Sequence, residues 1–242
     1  MTTTMRVLIA EFLGTFFLCF SGIAAILSAT PAVGGGGGLV AIALAHGLGL
    51  AIAVHTFGGI SGAHVNPAVT IAMLVTGRIK LPLAGLYIVA QLAGGVVSAA
   101  ICRAVFPADA ISAAMLGIPL PAAWASTSTV LLVEFVLTFM LLIAVFGTAV
   151  DDRGKTVKIG GFGIGLMVAV DILAGGPITG ASMNPARSFG PALVAGHWQF
   201  HWMYWVGPVL GACVGALLYH HVLLEAPQTP PVKEEWLDAG RR

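Results

Sequence analysis

The amino-acid sequence predicts an all-α membrane protein, with six transmembrane helices plus two half-helices arranged as an inverted 3+3 repeat. Three observations lead there. The composition is 58% hydrophobic and only 9% charged, against about 25% charged residues in an ordinary soluble domain. Six apolar stretches are long enough to cross a bilayer. One tripeptide, Asn-Pro-Ala, occurs twice, each time opening an apolar segment too short to cross.

A chain with a mean hydropathy of +0.97 cannot cover a water-facing surface, so most of its exterior must meet the lipid bilayer. A net charge of +1 implies no nucleic-acid partner. Cys19, Cys102 and Cys213 lie in apolar stretches without metal-ligand spacing and read as packing residues. Neither a metal nor another cofactor is expected. The run Val7 to Ala29 is too long for the core of a cleavable signal and fits a first span.

A spanning helix needs roughly 20 apolar residues. The stretches about 7–29, 39–59, 82–105, 128–150, 159–176 and 202–224 qualify. The segments about 66–77 and 184–195 do not. As helices they measure roughly 15 to 18 Å, about half a bilayer.

With six spans, Arg6, Arg78, Lys80, Arg153, Lys155, Lys158, Lys233, Arg241 and Arg242 share one side. The opposite loops, around 30–38 and 106–127, carry no Lys or Arg. Cationic loops stay cytoplasmic, so both termini are expected there, in a multi-pass protein of the plasma (inner) membrane. Arg103, at a helix end, can snorkel. Arg187 needs a different explanation. The polar stretch 225–242 reads as a cytoplasmic tail.

Residues 1–242 are expected to form a single transmembrane domain with an internal repeat, about 5–105 and about 126–224. Ala10-Glu11-Phe12-Leu13-Gly14-Thr15-Phe16 matches Val133-Glu134-Phe135-Val136-Leu137-Thr138-Phe139. Ser61-Gly62-Ala63-His64-Val65-Asn66-Pro67-Ala68 matches Thr179-Gly180-Ala181-Ser182-Met183-Asn184-Pro185-Ala186. Three spans per half is an odd number, so the halves insert in opposite senses. Sites in such repeats lie at the repeat interface, at broken helices near the midplane.

Each motif is a well-formed helix start. Asn66 and Asn184 are favoured caps. Pro67 and Pro185 suit the first helical position, where a missing N–H costs nothing. Ala68 and Ala186 continue the helix. Irregular backbone at mid-membrane depth survives only beside a cavity or inside protein. Two helix N-termini meeting there place about +0.5 charge each at one point. Such a point accepts neutral hydrogen-bonding molecules and opposes cations, hydronium included.

Ser61-Gly62-Ala63-His64-Val65-Asn66-Pro67-Ala68-Val69-Thr70 and Asn184-Pro185-Ala186-Arg187-Ser188-Phe189-Gly190-Pro191 resemble the major intrinsic protein family, the aquaporins and aquaglyceroporins, over about residues 5–224. The resemblance implies the aquaporin fold, one pore per subunit, a homotetramer, and a second constriction outward of the motifs. That selectivity filter maps to His46, Ile172, Ala181 and Arg187, which gives Arg187 a place in the pore. Strict water channels of the family carry Phe at the first position and His at the second. His46, Ile172, Ala181 and Arg187 instead resemble the filter of plant tonoplast intrinsic proteins, wider than a water-only one. Ser188, Ala192, Tyr204 and Trp205 are similar to the water-channel branch.

The expected function is therefore a passive channel for water and small uncharged solutes that excludes protons and ions, not an enzyme. The alternative is a channel mainly for glycerol, ammonia or metalloid hydroxides such as arsenous acid. A coupled transporter would need an ion-binding constellation, for which Glu11, Glu134 and Asp171 are thin material. The resemblance implies that Glu11 and Glu134 accept backbone N–H groups of the motif loops. His64 is expected to brace the first loop and His55 to pack within span two. Asp171 is expected to face either the outer vestibule or the loop groups. His197 and His201 read as solvated interface residues, and Trp198, Trp202 and Trp205 as an interfacial belt.

Overall fold

A computed structural model describes residues 2–155 and 159–224. The expected tail lies outside the described residues. The helices are α1 (Thr3–Ser28), α2 (Gly38–Ser61), α3 (Pro67–Val75), α4 (Leu81–Val105), α5 (Ala108–Ala113), α6 (Thr127–Val145), α7 (Asp152–Lys155), α8 (Gly160–Thr179), α9 (Pro185–Ala195) and α10 (Met203–Leu218). α6 and α10 each continue into a wider π turn, at Phe146–Val150 and Tyr219–Leu223. Among the described residues, six helices are long and apolar enough to cross a membrane, at the positions the sequence predicts to within a few residues.

Local chemistry sets the helix ends. α1 begins earlier than expected because the Thr2 hydroxyl caps it, accepting from the Met5 N–H at 3.2 Å. α8 runs past its expected end at 176. Pro177 sits in its last turn, and Gly180, at φ 81°, closes it. Gly62, at φ 88°, closes α2 in the same way.

The spans pack through small residues, as expected where hydrocarbon offers no hydrophobic drive for helix association. Gly47 of α2 and Gly165 of α8 occupy equivalent repeat positions and face one another. A Cβ on Gly47 would lie 2.5 Å from the Gly165 carbonyl oxygen, and one on Gly165 would lie 2.2 Å from the Gly47 oxygen. The two halves therefore touch backbone to backbone. Large apolar side chains such as Leu81, Val89 and Leu132 stand more than 60% exposed, the surface a bilayer covers.

α3 and α9 enter from opposite ends of the bundle. Beyond the far end of α3, Arg78 donates to His220 Nδ1, at the end of α10. At the far end of α9, Arg103 donates to the Val194 carbonyl from the end of α4. Arg103 thus satisfies a terminal helix carbonyl while its charge stays at the surface. The N-termini of α3 and α9 meet in the interior.

Candidate functional site

The two Asn-Pro-Ala turns are cross-linked. Asn66 Nδ2 donates to the Met183 carbonyl at 2.9 Å, and Asn184 Nδ2 donates to the Val65 carbonyl at 2.9 Å. Each Asn Oδ1 accepts from its own helix, from the Ala68 N–H at 2.8 Å and the Ala186 N–H at 2.9 Å. An amide side chain carries two N–H donors. With Oδ1 turned to its own helix and one donor used, each asparagine keeps one spare N–H.

Turning the backbone this sharply requires Ala63, Val65, Ala181 and Met183 to sit at φ between 43° and 54°, sparsely populated for residues with a Cβ. Buried carboxylates hold the loops in place. Glu11 Oε1 accepts from the Ser61 hydroxyl at 2.6 Å and the His64 N–H at 3.0 Å, while Oε2 accepts from the Val65 N–H at 2.7 Å and Gln91 Nε2 at 2.8 Å. Glu134 Oε1 accepts from the Thr179 hydroxyl at 2.7 Å and the Ser182 N–H at 2.9 Å, and Oε2 from the Met183 N–H at 2.8 Å. Tyr87 and Tyr204 donate to the Ser61 and Thr179 carbonyls.

A cavity of about 180 Å³ runs past both asparagines and is lined by Val54, Ala63, His64, Val69, Ile164, Ala181 and Arg187, among others. That is room for several waters. A second cavity of about 250 Å³ opens beyond it against Ile26, Leu39 and the loop Gly117–Leu120. The residues that line both are His46, Ile172 and Arg187. Arg187 is 3% exposed and donates through Nη1 to the Gly117 carbonyl at 2.7 Å. His46, equally buried, hydrogen-bonds through Nδ1 to the Ile42 carbonyl at 2.9 Å. Nδ1 therefore carries the proton.

Other sequence-predicted residues fall differently. His64 pairs Nδ1 with the Thr70 hydroxyl at 3.2 Å and meets Tyr87 edge-on. His55 does not pack within its span. It lies at the surface over Gly161, with Nδ1 donating to the Ala51 carbonyl at 2.9 Å. Asp171 satisfies neither expectation. It is fully buried in α8, lines neither cavity, and its oxygens make no hydrogen bond among the described residues. It sits one turn before Gly175, which packs on Leu137 of α6. His201 is not simply solvated, because it accepts from Trp205 Nε1 at 3.0 Å, and burial pushes its imidazole below its usual range. Nε2 of His197 is buried without a hydrogen bond among the described residues. Trp198 and Trp202 stand about half exposed, as an interfacial belt requires.

Sequence reasoning missed Gln91, which donates to both Glu11 and Thr70. A lone amide within an apolar span is the signal that marks it. The Gly117 carbonyl carries no sequence signal.

A family model described as "Major intrinsic protein" matches residues 1–219. Aquaporin TIP4-4 of Zea mays is 41% identical over 240 residues, covering 97% of this chain and 93% of the relative. Aquaporin-8 of Mus musculus is 42% identical over 212 residues, covering 87% of this chain and 79% of the relative. The X-ray structure of the aquaglyceroporin from Plasmodium falciparum superposes with a TM-score of 0.80 at 25% identity, covering 91% of this chain and 97% of that one. With this fold, six candidate spans among the described residues and relatives matched along most of their length, the chain belongs to the major intrinsic protein family, an integral membrane channel and not an enzyme.

Proposed function

We propose that the chain is a passive channel for water and small uncharged solutes that excludes protons and ions, with a filter wider than a water-only one. The observation that carries this reading is the meeting of two interior cavities at His46, Ile172 and Arg187.

A molecule passing from one cavity to the other crosses a wall with one fixed cation and two apolar or uncharged faces. Arg187 opposes cations and offers N–H donors to a passing oxygen. Ile172 supplies hydrocarbon where a donor would favour water alone, and Ala181 leaves room. Deeper in, Asn66 and Asn184 each keep a spare N–H donor, while their oxygens are turned to their own helices. A water there accepts from both, so its own hydrogens point away along the passage in both directions. A chain of waters oriented outward from its centre cannot hand a proton through. The paired N-termini of α3 and α9 add a positive field that opposes hydronium.

Glu11 and Glu134 serve as loop supports, and His64 braces the first loop. The end carrying Arg78 and Arg153 faces the cytoplasm in a plasma (inner) membrane, and four copies assemble as a homotetramer. Aquaporin and aquaglyceroporin relatives support the choice of water and small neutral solutes.

Stopped-flow light scattering on proteoliposomes, challenged in turn with sucrose, glycerol, urea and ammonium gradients, tests the reading. Rapid water flux with measurable glycerol or urea flux is expected. Fast glycerol or ammonia flux with water at the protein-free rate would favour the alternative specialisation. Solute uptake driven uphill by a proton or sodium gradient would overturn the channel.

A further inference from the structure

We propose that Gly22 sets the aperture of the filter, by receiving the tip of the His46 ring in a notch on α1. The inference rests on the channel reading above and assigns a positioning residue outside the four filter positions.

His46 projects from α2 toward α1. A Cβ built on Gly22 would lie 2.1 Å from His46 Nε2, 2.4 Å from Cδ2 and 2.5 Å from Cε1. Nε2 and Cε1 form the distal end of the imidazole, and Cδ2 is the side leading to it. The ring tip therefore occupies the volume that any other residue at position 22 would fill. Its Nε2 is buried without a hydrogen-bond partner among the described residues, as befits an atom seated against a helix backbone. The near edge is fixed, because Nδ1 donates to the Ile42 carbonyl at 2.9 Å. Gly22 itself is buried.

The open space beside the ring is the passage it lines with Ile172 and Arg187. Non-bonded carbon atoms need roughly 3.5 Å, so a methyl group at position 22 displaces the ring tip by more than 1 Å. The Nδ1 bond acts as the pivot. Behind the ring stands α1, and ahead stands the gap shared with Ile172 and Arg187. The tip swings into that gap. An ångström lost from a passage sized for single molecules selects against the wider solute before it selects against water.

The test compares glycerol and water permeability in proteoliposomes for wild type, Gly22→Ala, His46→Ala and the double variant. Gly22→Ala is expected to lower the glycerol-to-water ratio about tenfold, a change in barrier and not in fold. The double variant is expected to match His46→Ala, because without the ring the added methyl meets nothing. Should Gly22→Ala fail to insert, recovery of a folded, conducting double variant carries the same conclusion. A Gly22→Ala ratio equal to wild type overturns the proposal. So does a double variant that keeps the loss, or one that misfolds where His46→Ala does not. If His46→Ala itself leaves the ratio unchanged, the filter reading fails instead, independently of Gly22.

Discussion

The two ends of the passage differ more than the two halves of the fold. The four proposed filter residues have repeat counterparts that line the first cavity toward the basic end: Ile164 for His46, Val54 for Ile172, Ala63 for Ala181 and Val69 for Arg187. One ring thus carries an imidazole and a guanidinium, and its counterpart carries hydrocarbon alone. The scaffold behind both rings is the same. Glu11 and Glu134 hold equivalent loop N–H groups, Asn66 and Asn184 exchange equivalent bonds, and Tyr87 and Tyr204 bind equivalent carbonyls. The repeat supplies geometry twice and chemistry once. Selection needs only one narrow polar ring, and an apolar ring on the other side lets a molecule leave without binding.

The largest expected effect comes from removing what the halves share. Glu134→Ala leaves the Thr179 hydroxyl and the Ser182 and Met183 N–H groups without their acceptor, and Glu11→Ala does the same to Ser61, His64 and Val65. Each stranded donor costs about 1–3 kcal/mol, against a total stability of about 5–15 kcal/mol. Both variants should yield little folded protein by size-exclusion in detergent. A near-wild-type melting temperature for one and collapse of the other would break the claim that the scaffold is symmetric.

The next effect should come from making the outer ring resemble the inner one. Arg187→Val places at the filter the residue type already found at Val69. Loss of the only cation in that ring should raise proton leakage on the order of tenfold, equivalent to about 1.4 kcal/mol of barrier, read with a pH-sensitive dye in vesicles. Wild-type proton tightness in that variant would mean that the central asparagines and helix ends exclude protons alone. His46→Phe combined with Ile172→His works in the opposite sense, narrowing the ring and suppressing glycerol relative to water. Glycerol flux that survives both changes would show that the filter lies elsewhere.

The scaffold was largely legible in the sequence, because its determinants are local or repeated. Span length, half-helix length and the cap chemistry of Asn66-Pro67 and Asn184-Pro185 each follow from short stretches of chain. Glu11 and Glu134 were visible as intramembrane acids at matching repeat positions. What stayed hidden depends on neighbours distant in sequence. No local pattern pairs Gly22 with His46 or brings the Gly117 carbonyl to Arg187. The left-handed backbone at Ala63, Val65, Ala181 and Met183 goes against the preference of those residues, and the Glu11 and Glu134 anchors impose it. Asp171, for which the sequence left the vestibule and the loop groups both open, reaches neither although its neighbour Ile172 lines both cavities, because a helical side chain one position away points about 100° round.

The smallest effect belongs to the basic end, beyond the apolar ring. Asp151 sits just past the π turn of α6. Arg153 donates to it at 2.5 Å through Nη2 and again through Nε and the backbone N–H, and Tyr219 donates its hydroxyl at 3.1 Å. The Arg153 guanidinium, first among these, holds the Asp151 carboxyl well below the usual carboxylate range against the opposing effect of burial. A carboxylate whose folded value is depressed adds stability that is fully present above its unfolded value, about 3.9, and that is lost as pH falls from there toward the lower folded value. Asp151→Asn should therefore lower the melting temperature at neutral pH, and the gap from wild type should close as pH drops below about 4. The gap should also shrink with added salt, since the Arg153 side chain is 51% exposed and screened. A gap of equal size at pH 3 and pH 7 would mean that the contact acts through shape alone. Unchanged solute selectivity at every pH would sharpen the contrast, leaving the basic end to hold the bundle together and the His46 and Arg187 end to choose what passes.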